Sequence, residues 1–229
     1  MSDNLSLQDK IAIVTGSGRE NGIGAGIALA LALARNGASV VIHYVSDSVK
    51  ERAAQVCETL CNAGSRAIAV QVALDTIEGA KHLVGETLEG FNTDHIDILV
   101  NNAGVVYFCP ITDEVNTKQL SDVFQINVLG PFYMVHAVLP YMPRGGRIIN
   151  ISSTNSKRGN VNISSYAASK AALDSLTWSW AGETEVDLTR AEHRAGTAAD
   201  VGDAVLLLVN EKSRWITGQY ISVSGEVTY

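Results

Sequence analysis

Short, almost wholly apolar runs recur along this chain, each parted from the next by a stretch of helical character. Ala38–Tyr44 (ASVVIHY) and Ile96–Val100 (IDILV) are the clearest, rich in β-branched residues and apolar at nearly every position. A strand with one wet face alternates polar and apolar residues. A run apolar throughout needs cover on both faces, which a parallel sheet flanked by helices supplies. Lys10–Thr15, Arg66–Val72 and Gly146–Ile151 read as further strands. Gly24–Asn36, Val49–Ala63, Ile77–Leu88, Thr117–Leu139 and Tyr166–Trp180 read as the helices between and after them; Gly37 and Gly64 suit the left-handed backbone that ends a helix. Val201–Val209 reads as a late helix and Tyr220–Val223 as a last strand. The β-α-β-α order implies an α/β fold with a doubly wound parallel sheet. With 229 residues and no shift in composition, residues 1–229 are expected to form a single domain.

The first strand runs directly into Thr15-Gly16-Ser17-Gly18-Arg19-Glu20-Asn21-Gly22-Ile23-Gly24, and that turn into a helix. Glycines at such a junction permit unusual φ and let the backbone approach an anion. The helix N-terminus behind them presents unpaired N–H groups and the positive end of its dipole. Glycine-rich turns also arise for conformational reasons alone; the placement between the first strand and the first helix makes this one a candidate dinucleotide site, with Gly16, Arg19, Gly22, Ile23 and Gly24 as contacts. An acidic residue about 20 positions beyond the glycines ordinarily holds the ribose 2′-hydroxyl of NAD. Here Tyr44 stands twenty residues past Gly24, followed by Ser46 and Ser48. No carboxylate there would repel a 2′-phosphate, so NADPH is expected over NADH, with Tyr44, Ser46 and Arg19 on its adenosine side. Asp47 is the counter-evidence, at a position beyond the strand end.

Two other groups carry chemistry. Tyr166 and Lys170, in Tyr166-Ala167-Ala168-Ser169-Lys170, are four apart on a helix and share one face. A free phenol ionises near pH 10, and a neighbouring ammonium favours the phenolate. Most Tyr-x-x-x-Lys pairs are merely surface residues of an amphipathic helix. This one is accompanied by Ser153, thirteen residues earlier at the end of a strand, with Ser152 beside it, and by Asn101-Asn102-Ala103-Gly104 after the fourth strand.

Together these motifs resemble the short-chain dehydrogenase/reductase family, over Lys10 to roughly Trp180, with Ile216-Thr217-Gly218-Gln219 also similar. The resemblance implies a Rossmann-type fold and a nicotinamide cofactor. It implies Tyr166 as general acid in reduction, Lys170 lowering the phenol pKa and binding the nicotinamide ribose, and Ser153 (or Ser152) on the substrate oxygen. Asn127 would support a proton-relay water, and Asn101, Ala103 and Gly104 would line the adenosine side. The glycine turn departs from the family spacing by two extra residues between Gly16 and Gly22. The family's Asp after the third strand has no match, since Asp75 is displaced by about two positions.

A larger departure follows the Tyr–Lys helix. The family has there another parallel strand, a Pro-Gly turn and a mobile segment over the substrate; here no apolar strand or Pro-Gly follows Pro143 before the end region. A few dozen residues are absent by comparison. We expect a flexible lid segment to have been dropped near Gly182–Thr189 with the numbering closed over it, a natural deletion being the alternative.

Val40–Ser48, Ile149–Lys157 and Trp215–Gly225 look similar to fungal naphthol and anthrol reductases. That resemblance implies reduction of a polyhydroxylated aromatic through its keto tautomer. A 3-oxoacyl-thioester reductase is the enzyme alternative, and a catalytically idle NADP-binding regulator the alternative of another class. Tyr107, Phe108 and Met134 are candidate aromatic-substrate contacts, with core packing their ordinary role. The formal charge of −7 argues against nucleic acid or an anionic membrane as partner. The polar first ten residues contain no signal-peptide core, and runs such as Ile27–Ala34 are too short to span a bilayer. A cytoplasmic protein is expected. Cys57, Cys61 and Cys109 read as free thiols with no metal-ligand spacing. By family analogy the chain is a homo-oligomer, dimer or tetramer, associating through Thr117–Leu139 and Tyr166–Trp180.

Overall fold

The apolar runs become the parallel sheet they predict. In the computed structural model, which describes residues 6–18, 26–158 and 160–183, β1 (Ile11–Val14), β2 (Ser39–Tyr44), β3 (Ala67–Gln71), β4 (Ile98–Asn101) and β5 (Arg147–Asn150) pair in the order β3-β2-β1-β4-β5. Every pairing is parallel. β1, β2 and β4 are buried at every position, while β3 and β5 are only partly covered. The fold is Rossmann-type α/β.

Side chains alternate across the sheet. Ala12, Val14, Val40, Ile42 and Val100 pack with Ala30 and Ala34 of α1 (Gly26–Arg35) and Ala53, Val56 and Leu60 of α2 (Lys50–Asn62). Ile13, Val41 and Leu99 alternate with them and are fully buried. α3 (Ile77–Phe91) packs against α5 (Gly130–Val138), burying Leu83, Met134 and Val138. Each fully buried large aliphatic stabilises the fold by about 1.5–3 kcal/mol. α3 runs one turn past the expected Leu88 because Phe91 still faces the interior; Asn92 then ends it at φ 51°.

The predicted long helix Thr117–Leu139 is interrupted. α4 (Thr117–Phe124) leads into a π-turn at Gln125–Leu129, where the Gly130 N–H donates to Gln125 O five residues back, and α5 follows. Pro131, with no N–H, cannot donate to Asn127 O, so an ordinary helical bond is unavailable at this point. The whole run Thr117–Tyr141 spans 25 residues and, among the described residues, is the one helix long and apolar enough to cross a membrane by length and composition. It is longer than the apolar runs weighed in the sequence, and 44% of its apolar window is buried inside the protein.

By its contacts the chain divides into Met1–Asp174 and Ser175–Tyr229. The first unit contains the five described strands. Of the second, only the end of α6 (Ser164–Glu183) is described. The expected helix Val201–Val209, the last strand Tyr220–Val223 and the motif Ile216–Gln219 lie outside the described residues. So do most of the Gly182–Thr189 junction and the extension of one domain to residue 229.

Candidate active site

β1 lies between β2 and β4, so the chain leaves it toward opposite sides and a crevice opens at the carboxyl ends of these strands. Thr15 ties the floor together. Its Oγ1 accepts from the N–H groups of Asn102 and Ala103, each at 3.0 Å, and the Asn102 Nδ2 donates to Thr15 O at 2.9 Å. Asn101 Nδ2 donates to Asn150 Oδ1 at 2.9 Å, joining β4 to β5. The buried Oδ1 atoms of Asn101 and Asn102 have no hydrogen-bond partner among the described residues. Such acceptors are costly to leave bare, about 1–3 kcal/mol each, and are available to a donor entering the crevice.

The glycine turn is packed backbone against backbone. Gly16 has φ +66°, and a Cβ on it would lie 2.8 Å from Ala103 Cα. A Cβ on Gly26 would lie 2.6 Å from Asn102 Nδ2 and 2.7 Å from Gly16 O, so α1 can approach the turn only at a glycine. His43, wholly buried on β2, locks the same turn. The Gly16 N–H donates to its Nδ1 at 2.9 Å, which fixes the proton on Nε2, and Nε2 donates to Val72 O at 2.8 Å. The His43 N–H donates to Ser17 Oγ, and its carbonyl accepts from the N–H groups of Ser17 and Gly18. Burial pushes the imidazole down to about 4, with the bond to Val72 working the other way, so the ring is neutral at physiological pH.

Neither His43 nor Gly26 was among the sequence candidates. Gly26 had a signal, as the third glycine of Gly22-Ile23-Gly24-Ala25-Gly26; a lone histidine inside an apolar strand has none. Arg19, Gly22, Ile23 and Gly24 lie outside the described residues. Tyr44 ends β2 buried, its Cβ close against Gly18. Ser46 Oγ shares a hydrogen bond with Ser48 Oγ at 2.7 Å, and Asp47 Oδ1 accepts from Gln71 Nε2 at 2.8 Å.

Across the crevice, α6 brings Tyr166 and Lys170 to the end of β5, both buried. Lys170 Nζ donates to Ile151 O at 2.7 Å and lies 5.9 Å from the centre of the Tyr166 ring. Ser153 follows two residues after that carbonyl. It adopts extended backbone, and its Oγ accepts from Asn155 N at 3.2 Å, capping the 3₁₀ turn Thr154–Ser156. Asn127, in the π-turn, accepts from Val105 N at 2.8 Å and donates to Val105 O and to Ser169 Oγ. It thereby clips the loop after β4 to α6. A Cβ on Gly104 would lie 3.2 Å from Asn127 Oδ1 and 3.6 Å from Lys170 Nζ, so Gly104, Asn127 and Lys170 meet at one point. Burial lowers the Lys170 ammonium to about 8, with the charge of Asp174 opposing the shift.

Of the candidate contacts to an aromatic substrate, Met134 is fully buried core, Tyr107 accepts from Asn116 N at 2.9 Å through its hydroxyl, and Phe108 is exposed. Phe108 belongs to a loop joined to the segment before α6, where Cys109 N donates to Asn162 O at 2.8 Å.

Residues 10–190 match the family model for short chain dehydrogenase. The chain is 33% identical to the short-chain dehydrogenase/reductase FrzI of Cladobotryum sp, covering 96% of each. It is 32% identical to the hydroxynaphthalene reductase-like protein Arp2 of Metarhizium guizhouense, covering 96% of this chain and 95% of that protein. The alignment with FrzI spans 258 residues against the 229 of this chain, so at least 29 positions (258 less 229) have no counterpart here. Among solved structures, a blue fluorescent protein from a metagenomic library, in complex with NADPH, matches with TM-score 0.73 and 29% identity over 98% of this chain and 100% of that one. The landomycin C-6 ketoreductase LanV, with bound NADP and rabelomycin, matches with TM-score 0.68 and 31% identity over 97% of each. The chain is a member of the short-chain dehydrogenase/reductase family.

Proposed function

We propose that this oxidoreductase reduces a ketone with NADPH, and that its substrate is a polyhydroxylated aromatic of naphthol or anthrol type, taken as the keto tautomer. The observation that carries the reading is the Lys170 ammonium, held by Ile151 O beside the Tyr166 ring, with Gly104 and Asn127 at the same point. NADPH, when bound, supplies the hydride. Tyr166 delivers the proton to the carbonyl oxygen, and the charge on Lys170 stabilises the oxygen left behind. Ser153 donates a hydrogen bond to that same carbonyl oxygen as it gains negative charge.

The residues of the crevice suit a dinucleotide. Gly16 and Gly26 leave backbone bare where a side chain would block the turn, and the Oδ1 atoms of Asn101 and Asn102 await donors. Ala103 and Gly104 continue the same wall. At the end of β2 the side chain is Tyr44, and the carboxylate of Asp47 is engaged by Gln71. That arrangement favours the 2′-phosphate of NADPH over the bare hydroxyl of NADH, with Ser46 available as a donor.

The aromatic substrate is supported by the Arp2-like relative and by a ketoreductase neighbour holding rabelomycin. Exposed Phe124, Leu129, Phe132 and Leu139 on the α4–α5 run favour association of copies through that face, readable by sedimentation. The functional test is NADPH and NADH oxidation against hydroxynaphthalenones, quinones and 3-oxoacyl thioesters. Turnover of the hydroxynaphthalenones with NADPH is expected. Turnover of thioesters alone would move the assignment to that class. Activity on none, with Tyr166→Phe changing nothing, would favour a regulator.

A further inference from the structure

His43 is wholly buried on β2 and meets three consecutive residues of the glycine turn. The N–H groups of Ser17 and Gly18 donate to its carbonyl at 3.0 and 3.2 Å, and its own N–H donates to Ser17 Oγ at 3.1 Å. On the histidine side those bonds use backbone alone, so any residue but proline could make them. The bond from the Gly16 N–H at 2.9 Å is different, because it ends on the side-chain atom Nδ1. A backbone N–H only donates. Nδ1 therefore carries no proton, and the ring keeps its proton on Nε2, which donates to Val72 O at 2.8 Å. Val72 is itself held to β2, its N–H donating to Tyr44 O at 3.0 Å. The residue that follows β3 thus selects the tautomer, and the tautomer leaves an acceptor facing Gly16. An imidazole costs more to bury than the neighbouring aliphatic side chains Val41 and Ile42, and these two bonds offset that cost.

Gly16 is where a shift would be felt. Its φ of +66° turns the chain at the mouth of the crevice, and a Cβ on it would strike Ala103. Its carbonyl accepts from Asn102 Nδ2 at 3.4 Å and lies 2.7 Å from where a Cβ on Gly26, the first residue of α1, would stand. We propose that His43 is a positioning residue for the dinucleotide: by accepting the Gly16 N–H at Nδ1 it sets the place of the glycine turn and, through Gly16 O, of the start of α1. A helix start with free N–H groups behind a glycine turn is where a pyrophosphate seats, so the imidazole acts on the cofactor without touching it. The proposal rests on the dinucleotide part of the functional reading and not on the ketone.

The experiment is a fluorescence titration of the full chain with NADPH, in wild type and three variants, with kcat and KM wherever a ketone is turned over. His43→Asn puts an amide oxygen close to where Nδ1 stands, His43→Gln puts an amide nitrogen close to where Nε2 stands, and His43→Phe keeps only a ring. His43→Phe and His43→Gln are expected to raise the NADPH Kd about tenfold, the scale of one donor left unpaired, and His43→Asn to restore it to within about threefold. kcat at saturating NADPH changes much less than Kd, because the loss is in binding. A histidine that served the sheet alone would shift unfolding midpoints and leave Kd in the folded variants where it was. Equal Kd values in wild type and His43→Gln overturn the proposal, and so does a His43→Asn variant as weak as His43→Gln. Should the variants not fold, the ¹⁵N shifts of the wild-type imidazole decide it: a bare Nδ1 whose shift moves on addition of NADPH is expected. A protonated Nδ1, or a shift that ignores NADPH, overturns it. A wild type that binds NADPH but reduces no ketone overturns the reductase reading alone, whereas one that binds no dinucleotide overturns both.

Discussion

The two walls of the crevice are built by different physics. On the β1–β2 side, Gly16, Gly26, Thr15 and His43 are held by contacts between backbones and by neutral hydrogen bonds; among these four the titratable side chain, His43, is neutral because it is buried. On the β5–α6 side, Tyr166, Lys170 and the Ser153 turn are held by side-chain polar bonds around a buried ammonium and the partly buried carboxylate of Asp174. Close packing gives a wall whose shape persists until something is forced into it. Charge gives a wall whose behaviour follows pH. In the proposed function the first would cradle the dinucleotide and the second would give and take the proton.

The sharpest break between the walls comes from Tyr166→Phe, which removes the proposed proton donor and leaves the glycine turn untouched. It is expected to lower kcat about 10²–10⁴-fold while NADPH still binds, as read by cofactor fluorescence; unchanged turnover would remove the chemistry from the α6 side. On the same wall, Lys170 is an ammonium below about pH 8 and loses its charge as pH rises through that value. Turnover is therefore expected to fall roughly tenfold per unit above pH 8, in a steady-state pH profile with protein stability monitored alongside.

The β1–β2 wall has the opposite dependence. With a folded value of about 4 against 6.5 unfolded, His43 binds fewer protons in the native state, so stability is full above pH 6.5 and declines as pH falls toward 4. The loss is on the order of 3 kcal/mol. His43→Asn, measured by urea unfolding across that range, is expected to flatten the decline; an unaltered slope would assign the acid sensitivity elsewhere. The smallest effect is steric. Gly26→Ala puts a methyl 2.6 Å from Asn102 Nδ2 and should lower stability by about 1–3 kcal/mol at any pH, as a shifted urea midpoint. Gly64→Ala, where a Cβ meets nothing within 4 Å, has only its φ of +87° against it.

The sequence by itself determined the order of elements and the type of sheet, because strands apolar at every position cannot tolerate a wet face. It placed β1, β2 and β5 to within a residue or two. That Tyr166 and Lys170 share one face of α6 was legible because their spacing is a helical turn, and the tight packing at Gly16 because the turn sits between a strand and a helix. What tertiary structure alone decided are the relations between residues far apart along the chain. His43 reaches Gly16 across 27 positions, Asn127 reaches Ser169 across 42, and Asp174 of α6 pairs with Lys157 in the turn after β5. The break in the Thr117–Leu139 helix belongs to both levels, since Pro131 was visible but the π-turn that seats Asn127 was not. Periodicity reports which way a side chain faces within its own element; the partner it meets is set by how the elements pack, and no local pattern encodes that.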